Sequence, residues 1–340
     1  MDCKKLAQEI IQGKRLKRND QLNDLITADL QELCQGANEI RKYFCGDKVD
    51  LCTIINGRSG KCGEDCKYCA QSVHHPTNCE VYDFLDEDKI VAEARANEAD
   101  GVDRFAIVTS GKALKGEDFE KAIHAFERMS KECKLDLCTS MGFLDAQQFH
   151  RLHMAGVTSY HDNIETSRRF FPQVCSTHTF DEKLETIRTA QREGLCVCSG
   201  GIIGMGENWE DRIDMALTLS ELGIMSIPIN VLMPIPGTPL GHREILPDED
   251  VLRTIALFRY INPEANIRLA GGRKALRDNG KETFLCGASA TITGNMLTTS
   301  GSTIASDRAM LQEMGRDVEP DWKKKERGIE VSDSCRPGHA

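Results

Sequence analysis

The feature that most constrains this chain is a repeating beat of short apolar run, polar turn and amphipathic stretch, the mark of βα units. Candidate strands fall at 51–55, 104–108, 135–139, 159–163, 195–198, 227–232, 267–270 and 288–292. Helices fit between them at 87–98, 117–131, 145–153, 181–193, 209–222 and 248–260. Eight runs predict an α/β fold of the (β/α)8 TIM-barrel type. A doubly wound open sheet would share the local pattern, so closure is inferred from the strand count. Helical spacing over 22–44 predicts an N-terminal helical extension, 1–45, ahead of a barrel at 46–322. The charged segment 323–340, ending in Gly and Pro, reads as a loosely ordered tail.

Polar and sulfur-bearing residues gather at one place in each unit. Cys62 follows the first strand, Thr109 and Ser110 end the second, and Cys138 to Ser140 end the third. Asn163 and Glu165 follow the fourth, Cys198 to Gly201 the fifth, and Asn230 lies in the sixth. The C-terminal ends of barrel strands are where such folds build active sites.

Bulk properties narrow the function. With 43 basic and 53 acidic residues the net charge is −10, against a protein that grips nucleic acid or anionic lipid. No apolar run approaches the ~20 residues of a membrane span, and the charged N-terminal segment lacks a signal-peptide core, so a cytoplasmic protein is expected. Fifteen cysteines in such a chain suggest reduced thiols serving metals or catalysis rather than disulfides. Cys34, Cys45, Cys133 and Cys175 read as small buried apolar groups.

Three cysteines stand apart. Cys62, Cys66 and Cys69 form a CxxxCxxC run in a glycine-containing loop directly after the first strand. Zinc usually takes four ligands in CxxC pairs, and no second pair lies elsewhere; a ferredoxin motif supplies a fourth cysteine, for which Cys79 is the one neighbour. Three thiolates leave one iron of a 4Fe-4S cube open, and an open iron can chelate the amino and carboxylate groups of S-adenosylmethionine (SAM).

With Tyr68 before its last cysteine, the run resembles the CxxxCxΦC motif of radical SAM enzymes. The stretch from Gly200 to Glu207 is similar to their GxIxGxxE mark, which would place Ile202 against the adenine. Longer words resemble the biotin synthase family: SGKCGEDCKYCAQS at 59–72, HDNIETS at 161–167, VCSGGIIGMGE at 197–207, PINVLMPIPGTPL at 228–240 and IRLAGGR at 267–273. The resemblance runs from Asp50 to Thr299. It implies sulfur insertion into dethiobiotin, two SAM molecules consumed for two hydrogen abstractions, and sulfur drawn from an auxiliary iron-sulfur cluster. It also implies a flavodoxin- or ferredoxin-type reductant and a homodimer.

In the family most often described, that auxiliary 2Fe-2S cluster is held by three cysteines and an arginine. Carried over, these give Cys138, Cys198 and Arg268, but Ala106 stands where the second strand would supply the remaining cysteine. Cys196, on the same strand face as Cys198, and Cys286 offer substitutes, so a four-iron cluster with an extra sulfide is expected, as in variants from obligate anaerobes. Cys196 can equally be a packed core thiol. For Arg268, a charge in an apolar strand, the rival role is a structural ion pair. Asn163 and Glu165 would lie near the SAM ribose, and Asn163 with Asn230 would bind the ureido ring of dethiobiotin. Asn230 as a satisfied interior amide is the alternative. Lys183 stands where relatives use an arginine on the SAM carboxylate, or else on a solvated helix face. Rival assignments are a hydrogenase maturase-like or methylornithine synthase-like radical SAM enzyme, and a non-catalytic iron-sulfur carrier or zinc module.

Overall fold

The computed structural model describes residues 2–295 and 302–331. Its strands are β1 (Asp50–Arg58), β2 (Arg104–Thr109), β3 (Asp136–Ser140), β4 (Val157–His161), β5 (Cys196–Cys198), β6 (Gly201–Ile203), β7 (Ser226–Val231), β8 (Asn266–Leu269) and β9 (Ala290–Ile292). They hydrogen-bond in the order β5-β4-β3-β2-β1-β9-β8-β7-β6, and a β5–β7 pairing closes the ring. Every pairing is parallel, and β5 and β6 are two halves of one broken strand, so the nine segments make an eight-stranded barrel. The expected (β/α)8 architecture is present.

Alternation along the strands sorts the side chains. Arg104, Ala106 and Val108 of β2 point into the barrel, while Phe105 and Ile107 join the apolar layer beneath the helices. The surrounding helices are α4 (Glu87–Ala99), α5 (Gly116–Glu132), α6 (Ala146–Met154), α7 (Phe180–Arg192), α8 (Trp209–Glu221) and α9 (Asp248–Ile261). Reciprocal caps fix where three of them start: Asp145 with Gln148, Thr179 with Glu182, and Asn208 with Asp211.

Ahead of the barrel come α1 (Cys3–Ile11), α2 (Asn23–Thr27) and α3 (Leu30–Cys45). The expected helical span 22–44 thus divides at Ala28, and Asp29 caps the longer piece by accepting from the Glu32 N–H. The extension is tied to the barrel's outer helix by the Tyr260 hydroxyl, which donates to the Cys3 carbonyl at 2.9 Å. After β9 come α10 (Ile304–Glu313) and α11 (Asp321–Glu326). The tail expected from Lys323 therefore starts inside a helix, docked where the Trp322 indole N–H donates to the Val102 carbonyl at 2.9 Å. Its remainder, 332–340, lies outside the described residues, as does Thr299.

The break between β5 and β6 has a steric cause. A Cβ on Gly200 would lie 1.9 Å from the Pro228 carbonyl oxygen, and one on Gly201 would lie 2.3 Å from that of Glu165. The backbone turns there because two neighbouring chains press against it. Gly200→Ala should lower stability by ~1–3 kcal/mol, the cost of overpacking a rigid contact, read as a reduced midpoint in urea unfolding; an unchanged midpoint would show that Pro228 yields freely.

Candidate functional site

The loop after β1 is held before any metal enters it. The Arg58 guanidinium donates to the Ser110 carbonyl at 3.2 Å and pairs with Asp118 at 3.1 Å, fastening the loop's root to the end of β2. Gln71 Oε1 accepts from the Ser59 hydroxyl at 3.2 Å and the Gly60 N–H at 3.1 Å. The Cys62 N–H donates to the Gln71 carbonyl and the Cys69 N–H to that of Cys66, so the chain doubles back and brings three half-buried thiols into one turn. Burial pushes the Cys69 thiol up to about 11.

The loop's carboxylates are committed elsewhere. Asp65 accepts from the backbone of Ser176 and Thr177 at 2.8 and 3.2 Å; although burial opposes ionisation, these bonds and the Ser176 hydroxyl hold it below the usual carboxylate range. Glu64 Oε2 lies 2.5 Å from His178 Nδ1. Soft sulfur donors are therefore what the loop leaves for a metal, and they fit an iron-sulfur cluster.

Cys175, expected to be an inert buried thiol, belongs to this region. The ligand atoms of Cys66, Cys175 and His178 lie within 4.8 Å of one another. A hydrogen bond from the Cys66 thiol, working against burial and aided by His178, pulls Cys175 down to about 4. Neither Cys175 nor His178 borders the barrel cavity.

That cavity, ≈380 Å³, runs down the barrel axis. Tyr68 and Cys69 border it beyond the C-terminal ends of the strands, and Asn163, Glu165 and Ile202 form the wall below. Glu165 holds a left-handed backbone (φ 66°), rare for such a residue and fixed by two backbone bonds: its N–H donates to Gly200 and its carbonyl accepts from Ile202. Its Oε1 accepts from the Tyr68 hydroxyl at 2.8 Å, while Oε2 is buried with no partner among the described residues. Burial raises its pKa above the usual carboxylate range. A donor from a ligand in the cavity would satisfy that oxygen.

Other expected residues have definite partners. Asn163 Oδ1 accepts from the Gly200 N–H at 3.0 Å. Asn230 donates to the Gly201 carbonyl at 3.1 Å and accepts from the Gly271 N–H at 2.9 Å, so its amide holds the broken strand as well as bordering the cavity. Lys183 is half-buried rather than on a solvated face, with Nζ 2.6 Å from Asp162 Oδ1. Burial opposes its charge, yet Asp162 and Glu165 outweigh that and raise its pKa. His161 borders the cavity, and burial lowers its pKa and favours the neutral ring.

The deep end of the cavity carries Cys52, Cys138, Cys198, Arg104 and Arg268. Arg268 Nη2 lies 2.6 Å from Asp50 Oδ1, and Nη1 donates to the Asp50 and Thr291 carbonyls at 3.2 and 3.1 Å. These contacts match the ion-pair role, the alternative expected for Arg268. Cys286 follows the turn at Lys281–Leu285 and sits beside Cys34 of α3, away from the cavity lining. Cys196 shares the inward parity of Cys198 but pairs across to Ser159 and does not border the cavity. Cys52 was missed; strand alternation could have found it, since it shares parity with Ile54 and both face inward.

Barrel, thiol loop and glycine-broken strand define a radical SAM protein, and comparisons agree. Residues 58–219 match the Radical SAM superfamily, and residues 228–317 match the Biotin and Thiamin Synthesis associated domain. The chain is 59% identical over 311 residues to the biotin synthase of Clostridium beijerinckii, covering 92% of this chain and 98% of that one. It is 56% identical over 315 residues to the biotin synthase of Alkaliphilus metalliredigens, covering 93% and 99%. The chain belongs to the biotin synthase family, and that membership implies a 4Fe-4S cluster and SAM. Among solved structures, methylornithine synthase superposes with a TM-score of 0.81 at 19% identity, covering 95% of this chain and 100% of that one. A maturase of the [FeFe]-hydrogenase superposes with 0.78 at 16%, covering 98% and 78%. At such identities these two bear on the fold alone. The described residues contain no helix long and apolar enough to cross a membrane.

The Lys183–Asp162 pair yields a test. Lys183→Met strands a buried carboxylate and should cost ~3–5 kcal/mol, whereas Lys183→Met with Asp162→Asn should recover most of it in urea unfolding. Additive losses would mean that the two side chains do not act as a pair.

Proposed function

We propose that this chain inserts sulfur between two saturated carbons of dethiobiotin to form biotin, and that the observation carrying this is one cavity with loop sulfur at its mouth and strand sulfur at its deep end. Unactivated C–H bonds have no acidic proton, so acid-base side chains cannot open them and a bound cofactor must. When bound, the loop cluster with SAM would supply hydrogen-atom abstraction from an unactivated carbon, and the auxiliary centre would supply the sulfur.

The chain's own residues bind and orient. Cys62, Cys66 and Cys69 would hold the loop cluster. Glu165 Oε2 is suited to accept from a ribose hydroxyl, with Tyr68 fixing its carboxylate and Ile202 offering an apolar surface to adenine. Lys183 acts on this wall through Asp162, holding positive charge behind it rather than reaching the SAM carboxylate itself. The Asn163 amide and the neutral His161 ring face the middle of the cavity, where a ureido group needs both donors and acceptors; Asn230 has one lone pair and one N–H left for it. The auxiliary centre is read as a four-iron cluster with a transferable sulfide. A flavodoxin- or ferredoxin-type donor, a cytoplasmic setting and a homodimer complete this reading.

Reconstitution with iron and sulfide under anaerobic conditions, followed by single turnover with dethiobiotin and SAM, should give biotin with about two deoxyadenosine molecules formed for each. Deoxyadenosine without biotin would overturn the substrate and leave the radical chemistry. Absence of both, with zinc in the loop, would overturn the whole assignment.

A further inference from the structure

Beside the thiol loop, away from the barrel chamber, four side chains of metal-binding type converge. Cys175 and His178 stand on the segment just ahead of α7, and Glu64 and Cys66 meet them from the loop. The Cys66 and Cys175 sulfurs lie 3.8 Å apart, and His178 Nδ1 lies 3.3 Å from the Cys175 sulfur and 2.5 Å from Glu64 Oε2. Cys175, His178 and Glu64 are buried, and Cys66 is half-buried. None of the four lines the chamber, so SAM and substrate there do not explain why these groups meet.

The spacing is that of a tetrahedral site. With bonds near 2.3 Å to sulfur and 2.0–2.1 Å to nitrogen, two thiolates on one zinc stand about 3.8 Å apart, and a thiolate and an imidazole nitrogen about 3.5 Å. The observed 3.8 and 3.3 Å need little adjustment. Glu64 needs more: an oxygen sharing the ion with that nitrogen would stand about 3.3 Å from it, so the carboxylate must draw back by about 0.8 Å. Protons alone serve the group poorly. His178 Nδ1 carries at most one hydrogen, yet it faces a sulfur and a carboxylate together, whereas a cation between the four donors satisfies all of them. The supports are already fixed. Asp65 accepts from the N–H groups of Ser176 and Thr177 at 2.8 and 3.2 Å, and the His178 ring packs edge-on against Phe143 and Phe171, with centroids 5.1 and 5.6 Å away. Two sulfurs, an imidazole and a carboxylate suit zinc; calcium and magnesium take oxygen donors in larger number.

We propose that Cys66, Cys175, His178 and Glu64 bind one zinc ion in the chain that has not yet received its loop cluster. This goes beyond the sulfur-insertion reading and does not depend on it. Because Cys66 belongs to both ligand sets, zinc here withdraws one of the three loop thiols, and zinc and the iron-sulfur cluster exclude each other. Cys175 and His178 lie outside the cluster's ligand set, so they govern the zinc affinity alone.

The test uses the full chain, stripped of metal by chelation and kept reduced under anaerobic conditions. Cobalt(II), whose visible absorption reports tetrahedral thiolate ligation, is added and then displaced by zinc. The parent should bind one cobalt per chain with sulfur-to-cobalt charge transfer. Loss of even an outer-shell partner costs roughly 10–100-fold, so Cys175→Ser and His178→Gln should each weaken zinc binding by more than about 100-fold. A chain carrying both Cys62→Ala and Cys69→Ala should bind zinc as the parent does. Zinc loaded first should slow cluster assembly in the parent, followed as iron bound per chain, and should not slow it in Cys175→Ser; assembly in that variant without zinc shows that it has folded. Equal zinc affinity in the parent, Cys175→Ser and His178→Gln would overturn the site. Zinc binding lost with Cys62 and Cys69 would overturn it too, since the ion would then lie in the loop's own thiols, as would cluster assembly in the parent that zinc leaves unaffected. SAM cleavage by the metal-free parent after reconstitution decides the radical chemistry separately, so the two readings fail independently.

Discussion

A buried carboxylate between two guanidinium groups sets the deep end of this barrel. Asp50 opens β1 and pairs with Arg268 at 2.6 Å and, more loosely, with Arg104 at 3.7 Å. Burial by itself would keep Asp50 neutral; Arg268 and then Arg104 reverse that and hold it well below the usual carboxylate range. Such an ion triad is poor at adding stability, since desolvation offsets most of the attraction. It is good at fixing where strands sit, because removing any member leaves a charge stranded. The triad ties β1, β2 and β8 together at one depth, and the sulfur atoms of Cys52 and Cys198 lie near enough to feel Arg268.

Charge at that depth is not evenly matched. Both guanidinium groups are buried, Asp50 is the buried acid between them, and the second carboxylate near Arg104, Asp136, is reached only at 3.7 Å and is partly solvated. The interior there is better suited to a guest of negative charge than to a cation. Zinc held by neutral donors would sit poorly beside these groups, whereas thiolates and sulfide would be stabilised by them. The mouth of the cavity has the opposite character, with Glu165 as a carboxyl buried and raised, so the two ends of one chamber favour different guests.

Much of this was legible in the sequence, and the reason is periodicity. Strands such as 104–108 and helices such as 87–98 agree with the structure to within a residue or so because each repeats a hydrophobic pattern with caps at its ends. The loop thiols, Tyr68, Asn163 and Glu165 were legible because they stand in short words whose spacing is set by the chain itself. What was not legible depends on register between strands. Cys286 lies at a tempting place in the sequence, yet a turn swings it to Cys34, 252 residues away. Cys52 has no neighbouring motif, and only the barrel places it on the cavity that Cys138 and Cys198 also border. Cys175 reads from sequence as an inert thiol, and His178 is not singled out, for the same reason: their partners, Cys66, Asp65 and Glu64, are more than a hundred residues upstream.

The middle of the cavity explains how sulfur and radical chemistry can share a chamber without wasting either. Ile54, Ala106, Val108 and Ile292 line it with hydrocarbon, and its amides are largely committed to backbone, Asn230 at both ends and Asn163 through its carbonyl oxygen. Side chains fixed in this way cannot swing to meet a ligand, so a substrate must enter already matched to the few polar positions that remain. Water is poorly served by such walls, which limits the quenching of a reactive species between the two sulfur-bearing ends. Ala106 on β2 is then a small apolar wall residue beside Ile54 and Val108, which keeps the middle of the chamber clear.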